Sequence, residues 1–170
     1  KIIFTTGIRS DYFIQNPIIK AVERHPGLES QLIITGAHLS YSHGYTANEI
    51  YKDGHNVVSE INNLVNTGHP SDRIRGAAVQ IQKLIEVFEK QKPDFIISPY
   101  DREESIMTAL AGVYMNIPVA HLGAGDRTRV NVDGIIRHSV SKLAHLQFCS
   151  TEENAQRLIK MGEEEFRVRV

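Results

Sequence analysis

The sequence predicts an α/β fold built on a doubly wound, mostly parallel sheet. Two observations predict it. Short apolar runs alternate with longer segments of helical period along the whole chain. The runs are nearly all apolar rather than alternating, as strands covered on both faces must be.

The elements follow in order. Lys1 to Thr6 reads as a buried strand ended by Gly7. Asn16 to Arg24 reads as a helix with Pro17 in its first turn, where the missing N–H costs nothing. His25-Pro26-Gly27 stops it. Leu32 to Thr35 is a second strand closed by Gly36, and Val57 to Ile61 a third. From Ser71 to Lys90, Ile74, Ala77, Ala78, Ile81, Leu84, Ile85 and Phe88 recur three or four apart, so one apolar helical stripe is expected. Phe95 to Ile97 is the fourth strand. A helix from Glu103 to Met115, a strand from Ile117 to Leu122, a helix from Asp133 to Leu143 and a strand from His145 to Cys149 follow. Ser150 and Glu153 form a capping box for a helix ending near Met161-Gly162. A seventh strand begins at Phe166.

Composition removes several function classes. The chain has 170 residues, a formal net charge of −1, 41% hydrophobic and 23% charged residues. That balance offers no electrostatic footprint for nucleic acid or a membrane surface. No apolar stretch approaches the roughly 20 residues that cross a bilayer. The single cysteine, Cys149, has no internal partner, so a cytoplasmic location is expected. Inside an apolar strand it reads as an inert buried thiol. No stretch reads as a linker, so residues 1–170 are expected to form one domain. The chain does not begin with Met, and Arg167-Val168-Arg169-Val170 alternates like a strand that is starting; a longer parent protein is expected.

In an open parallel sheet, ligands bind beyond the carboxyl ends of the strands. This rule selects four loops: Gly7 to Asp11, Gly36 to Ser40, Pro99 to Glu104 and Gly123 to Thr128. Arg9, on a glycine-containing turn before a helix, suits an anionic group such as phosphate. Asp101 reads either as a cap of the next helix or as a catalytic carboxylate. Asp126 reads as a turn residue or a carboxylate of the site, and Asp133 as a helix cap or a second one. Neither glycine loop completes G-x-G-x-x-G, so no dinucleotide cofactor is expected. The eight histidines and one cysteine have no metal-ligand spacing, so no metal is expected either. His25, His55 and His69 lie beside helix ends or turns and read as solvated. His121 lies in an apolar strand and reads as a satisfied core histidine. Physics alone gives a crevice suited to a polar, anionic small molecule.

The same loops, in this order, resemble the UDP-N-acetylglucosamine 2-epimerases, most closely the hydrolysing branch that makes N-acetylmannosamine for sialic-acid-type sugars. Phe4 to Tyr12 (FTTGIRSDY) resembles G-T-R-[SA]-D-Y. Thr35 to Ser40 with Gly44-Tyr45-Thr46 resembles T-G-x-H-L-S followed by G-x-T. Lys92-Pro93-Asp94, then Asp101-Arg102-Glu103, resembles K-P-D followed by G-D-R-x-[ED]. Asn116 to His121 resembles N-I-P-x-x-H. Asp133, then Ile136 to His145, resembles D-[DE]-x-I-R-H and its continuation. The match spans nearly the whole chain.

The resemblance implies the N-terminal, Rossmann-like half of a two-domain, GT-B-like enzyme, with the C-terminal nucleotide-binding domain absent from this chain. The implied partner is a nucleotide sugar, and a homo-oligomer is an expectation. The implied reaction removes the C2 proton of the N-acetylhexosamine, expels UDP from C1 and hydrates the resulting glycal. By residue matching, Asp101, Asp126 and Asp133 are the implied catalytic carboxylates. Arg9, Ser10, Asp11, His38, Arg102, Arg137 and His138 are implied substrate-binding residues; for Arg137 and His138, inside a helix, support of the site is an equal reading. Three departures stand out. The family commonly places Glu two residues after the strand-five histidine, where this chain has Gly123; Asp126 then becomes the carboxylate of that loop. Tyr100 replaces the Gly before Asp-Arg, and Gly134 replaces an acidic residue after Asp133. These departures leave three readings: a hydrolysing UDP-N-acetylglucosamine 2-epimerase, a relative acting on another nucleotide-linked acetamido sugar such as a bacillosamine derivative, or a binding module without turnover.

Overall fold

The computed structural model describes residues 1–128 and 132–170. They form two compact units, Lys1–Asp94 and Phe95–Val170.

The first unit runs β1 (Ile2–Thr6), α1 (Arg9–Glu23), β2 (Ser30–Thr35), two short 3-10 turns (Gly36–Leu39 and Tyr41–His43), α2 (Ala47–Asp53), β3 (Val57–Ile61) and α3 (Asp72–Gln91). Its strands lie in the order β3-β2-β1 and pair in parallel, with Thr5 opposite Ile33 and Ile34 opposite Glu60. All six residues of β2 are buried, as a central parallel strand requires.

Three sequence expectations need correction in this unit. Helix α1 begins at Arg9, not Asn16, so Pro17 sits in its interior. Tertiary anchoring explains the longer helix: Tyr12, Gln15 and Ile19 bury one face, while Pro17 lies on the exposed one. The stripe of α3 is rotated. Ala77, Gln80, Leu84 and Phe88 are buried, whereas Ile74 is 66% and Ile85 42% exposed. Gln80 is drawn inward because its Oε1 accepts from Asn63 Nδ2 at 3.1 Å. The 3-10 turns and α2 carry too few residues for periodicity to register. Finally, His55 is buried, not solvated. Its ring nitrogens meet Glu23 Oε1 at 2.7 Å and Asn16 Oδ1 at 3.1 Å. Asn16 also donates to Asp53 at 2.8 Å, and the Tyr12 hydroxyl donates to the same carboxylate at 2.5 Å. These bonds tie α1 to the end of α2. His25 and His69 are exposed, as expected.

The second unit runs β4 (Phe95–Pro99), α4 (Glu103–Tyr114), β5 (Val119–Leu122), α5 (Asp133–Leu143), β6 (Leu146–Phe148), α6 (Glu152–Lys160), a 3-10 turn (Glu165–Arg167) and β7 (Val168–Arg169). Its strands lie in sequential order and pair in parallel. Ala155 and Leu158 of α6 pack together with Ala124, Cys149 and Val168. Cys149 falls just after β6; it is a free, buried thiol whose pKa burial pushes up to about 11, which suppresses thiolate chemistry. The cap of α6 is one residue later than expected: Thr151, not Ser150, accepts from the Asn154 N–H at 3.2 Å.

Among the described residues, no helix is long and apolar enough to cross a membrane.

Candidate active site

Loops at the carboxyl ends of strands carry the candidate residues in each unit, and the two units are built differently.

In the second unit the loops after β4 and β5 are bonded together. The Tyr100 N–H donates to Leu122 O at 2.9 Å. The carbonyl of Tyr100 meets Nε2 of His121 at 2.7 Å, and Nδ1 of His121 meets the Ser141 hydroxyl at 2.9 Å. A carbonyl can only accept, so Nε2 carries the proton. Burial pushes the His121 pKa down to about 3, so the ring is neutral, and Nδ1 shares the Ser141 hydroxyl proton with the Arg137 carbonyl, which lies 3.2 Å from the same oxygen. His121 is thus the satisfied core histidine that its strand position suggested, and it fastens the β4 loop.

Asp101 comes next in the chain. Its carboxylate pairs with the Arg137 guanidinium of α5. Arg137 also donates to Gly123 O at 2.7 Å and faces the Tyr100 ring 5.8 Å from its centre. A planar guanidinium suits this role, since its fork reaches two acceptors in fixed geometry. Asp101 does not cap α4: the cap position is Arg102, with extended backbone. Arg102 instead donates to Glu104 at 3.1 Å and lies 3.6 Å from Glu103. Burial pushes the Glu104 carboxyl up, against the pull of Arg102.

The β5 loop holds its shape through glycines at positive φ, Gly123 at +70° and Gly125 at +75°. A Cβ on Gly123 would stand 2.5 Å from the Tyr100 ring, and one on Gly125 would collide with the Asn154 carbonyl. Both glycines are therefore demanded by close packing. Asp126 is exposed at the end of this turn and accepts from the Arg127 N–H at 2.8 Å. Asp133 is the first residue of α5, one position after the cap Val132. His138, one residue beyond Arg137, is half-buried; burial and the nearby Arg157 and Arg137 cations lower its pKa.

In the first unit, Arg9, Ser10 and Asp11 form the first turn of α1. Arg9 and Ser10 are exposed and Asp11 is buried. Arg9 donates to Glu49 at 3.1 Å and lies over the Phe13 ring. His38 is fully buried in the turn after β2. Its Nε2 meets the Thr6 hydroxyl at 3.0 Å and its Nδ1 the Thr46 hydroxyl at 2.7 Å. Burial lowers its pKa to about 4, so it is neutral at pH 7. Asn63 Oδ1 accepts from the Gly36 N–H at 2.6 Å and steadies the start of that turn. Among the described residues, no three His, Cys, Asp or Glu side chains gather as a metal site.

A family model, UDP-N-acetylglucosamine 2-epimerase, matches residues 20–170. The chain belongs to this epimerase family. It is 37% identical over 166 residues to a UDP-N,N'-diacetylbacillosamine 2-epimerase (hydrolyzing) of Legionella pneumophila, covering 97% of this chain and 44% of that protein. It is 33% identical over 168 residues to a GDP/UDP-N,N'-diacetylbacillosamine 2-epimerase (hydrolyzing) of Campylobacter jejuni, covering 99% of this chain and 44% of that protein. The crystal structure of UDP-GlcNAc 2-epimerase from Neisseria meningitidis bound to UDP-GlcNAc superposes with a TM-score of 0.86 at 22% identity, over 99% of this chain and 45% of that one. That likeness shows the Rossmann-like α/β fold. The chain spans under half the length of these relatives.

Against the epimerase pattern, the structure joins Asp101 to Arg137 and leaves Asp126 at the edge of its loop. Tyr100 and Ser141 were missed as contributors. Tyr100 carries a signal, since it stands where the family has glycine; Ser141 lies within the matched stretch Ile136 to His145, but where a helix serine points is not legible until the helix is placed.

Proposed function

We propose that the full-length protein is a hydrolysing 2-epimerase of a UDP-linked N-acetylhexosamine. The observation that carries this reading is the Asp101–Arg137 pair, fixed beside the β5 loop within a chain that matches the epimerase family. UDP-N-acetylglucosamine is the substrate the sequence motifs suggest. The hydrolysing diacetylbacillosamine epimerases among the relatives favour a second candidate, the diacetamido sugar. A C-terminal half would supply the nucleotide contacts.

The reaction runs in two stages. A carboxylate takes the C2 proton, the C1–O bond breaks, UDP leaves with the electron pair, and a C1=C2 glycal forms. Water then adds its hydroxyl to C1 while a proton returns to C2 on the opposite face. A C2–H is weakly acidic, so the base must be held in position before it can act. Asp101, oriented by Arg137, is assigned the acid/base role, with Asp126 and Asp133 as the other carboxylates. Arg9 is assigned to the diphosphate, where positive charge stabilises the leaving group. Ser10, Asp11, His38, Arg102 and His138 are assigned to binding or to holding these groups.

The test is UDP release from each sugar by the full-length protein and by Asp101→Asn. Loss of an acid/base group should lower turnover by about 100-fold or more. If neither sugar yields UDP, the reading fails.

A further inference from the structure

Tyr100 combines three features that the proposed chemistry does not explain. Its φ is +54°, a conformation uncommon outside glycine. Its backbone is fixed at both ends, by Leu122 O at the N–H and by His121 at the carbonyl. Its ring takes the space above Gly123 that any side chain there would need, at 2.5 Å from a Cβ built on that glycine. The position is therefore over-determined, and strain held this firmly marks functional sites. The ring is half-buried, flanked by Gly123 and Arg137, and belongs to the residue preceding Asp101.

We propose that Tyr100 is a specificity-determining residue of the sugar site, selecting a hexosamine that presents methyl-bearing groups. This rests on the epimerase reading above. An aromatic wall beside Asp101 gains contact with an acetamido methyl or a deoxy-sugar methyl. The face of the ring, unlike its hydroxyl, strips water from a sugar hydroxyl or hydroxymethyl without returning a hydrogen bond. The ring therefore favours the UDP-linked sugar that carries a second acetamido group and a methyl in place of a hydroxyl and the hydroxymethyl. Gly123 is its structural partner, since only a residue without Cβ leaves the ring in place.

The experiment compares UDP-N,N'-diacetylbacillosamine with UDP-N-acetylglucosamine on the full-length protein. Binding is measured by calorimetry and turnover by UDP release. The proteins are wild type, Tyr100→Phe, Tyr100→Gly and Tyr100→Asn; the last two tolerate positive φ without a ring. Wild type and Tyr100→Phe should prefer the diacetamido sugar to the same degree. The two ringless variants should lose that preference by about tenfold or more, through KM and Kd rather than kcat. An unchanged ratio in whichever ringless variant retains the wild-type circular dichroism spectrum overturns the proposal, as does a wild-type preference for UDP-N-acetylglucosamine. A Tyr100-dependent binding preference with no turnover of either sugar would overturn the epimerase reading and leave this one standing.

Discussion

The guanidinium of Arg137 grips the carboxylate of Asp101 and, through its other terminal nitrogen, donates 2.7 Å to the carbonyl of Gly123. One side chain from α5 thereby fixes the loop after β4 and the loop after β5 at once. The arginine side chain is 9% exposed and the aspartate 18%, so water does little to replace either partner.

Removing the cation should therefore be costly. Arg137→Ala leaves Asp101 and Gly123 O without their shared donor, and breaking a buried pair from one side costs about 3 to 5 kcal/mol. Arg137→Lys keeps the charge but not the fork. Urea unfolding should find Arg137→Lys less destabilised than Arg137→Ala, while UDP release falls in both.

The two buried histidines make stability depend on pH. His38 and His121 have folded pKa values near 4 and 3, both below their ordinary 6.5. A histidine depressed in this way supports the fold fully above pH 6.5. Its support is lost progressively as pH falls from there toward the folded pKa, because the unfolded chain binds the proton first. Each group contributes a slope of at most about 1.4 kcal/mol per pH unit. Melting temperature should fall between pH 6.5 and pH 4. In His121→Gln the melting temperature should start lower and fall less steeply over that range.

The β5 loop should reject even a methyl group. In Gly125→Ala the new Cβ meets the Asn154 carbonyl on α6 at a φ of +75°. Strain of this kind costs about 1 to 3 kcal/mol. Gly123→Ala should be similarly destabilised, and Tyr100→Gly should recover part of that loss because the ring is the obstacle. Equilibrium unfolding of the single and double variants reads the coupling directly.

The cap of α6 separates two adjacent residues. Thr151→Ala should cost about 1 kcal/mol, since it removes the acceptor of the Asn154 N–H. Ser150→Ala should fall within about 0.5 kcal/mol of wild type. A larger loss at Ser150 would restore the capping box read from the sequence.

Much of this is legible in the sequence itself. Apolar runs without alternation located β1 to β6, and the bounds expected for α5, Asp133 to Leu143, are those observed. Errors arose where tertiary contacts overrode local pattern. Pro17 is a strong start signal in isolation, yet Tyr12 and Gln15 carry α1 back to Arg9. Gln80 is polar, yet its bond to Asn63 rotates the buried face of α3 away from Ile74 and Ile85. At the site, the motifs named Asp101 and Arg137 separately. Their pairing was not legible, because the two positions meet only when α5 is placed against the β4 loop. Tyr100 and Gly123 likewise appeared as two independent departures, and the structure makes them one contact.

C2 proton exchange followed by hydration is read most directly from the reaction run in heavy water. The full-length protein is given UDP-N-acetylglucosamine and UDP-N,N'-diacetylbacillosamine in turn, and products are followed by NMR. The expected outcome is stoichiometric UDP and a free 2-epimerised sugar carrying one solvent deuterium at C2, with turnover falling by about 100-fold in Asp101→Asn. UDP release with the original C2 proton retained, or tight binding of both sugars with no release, would contradict it.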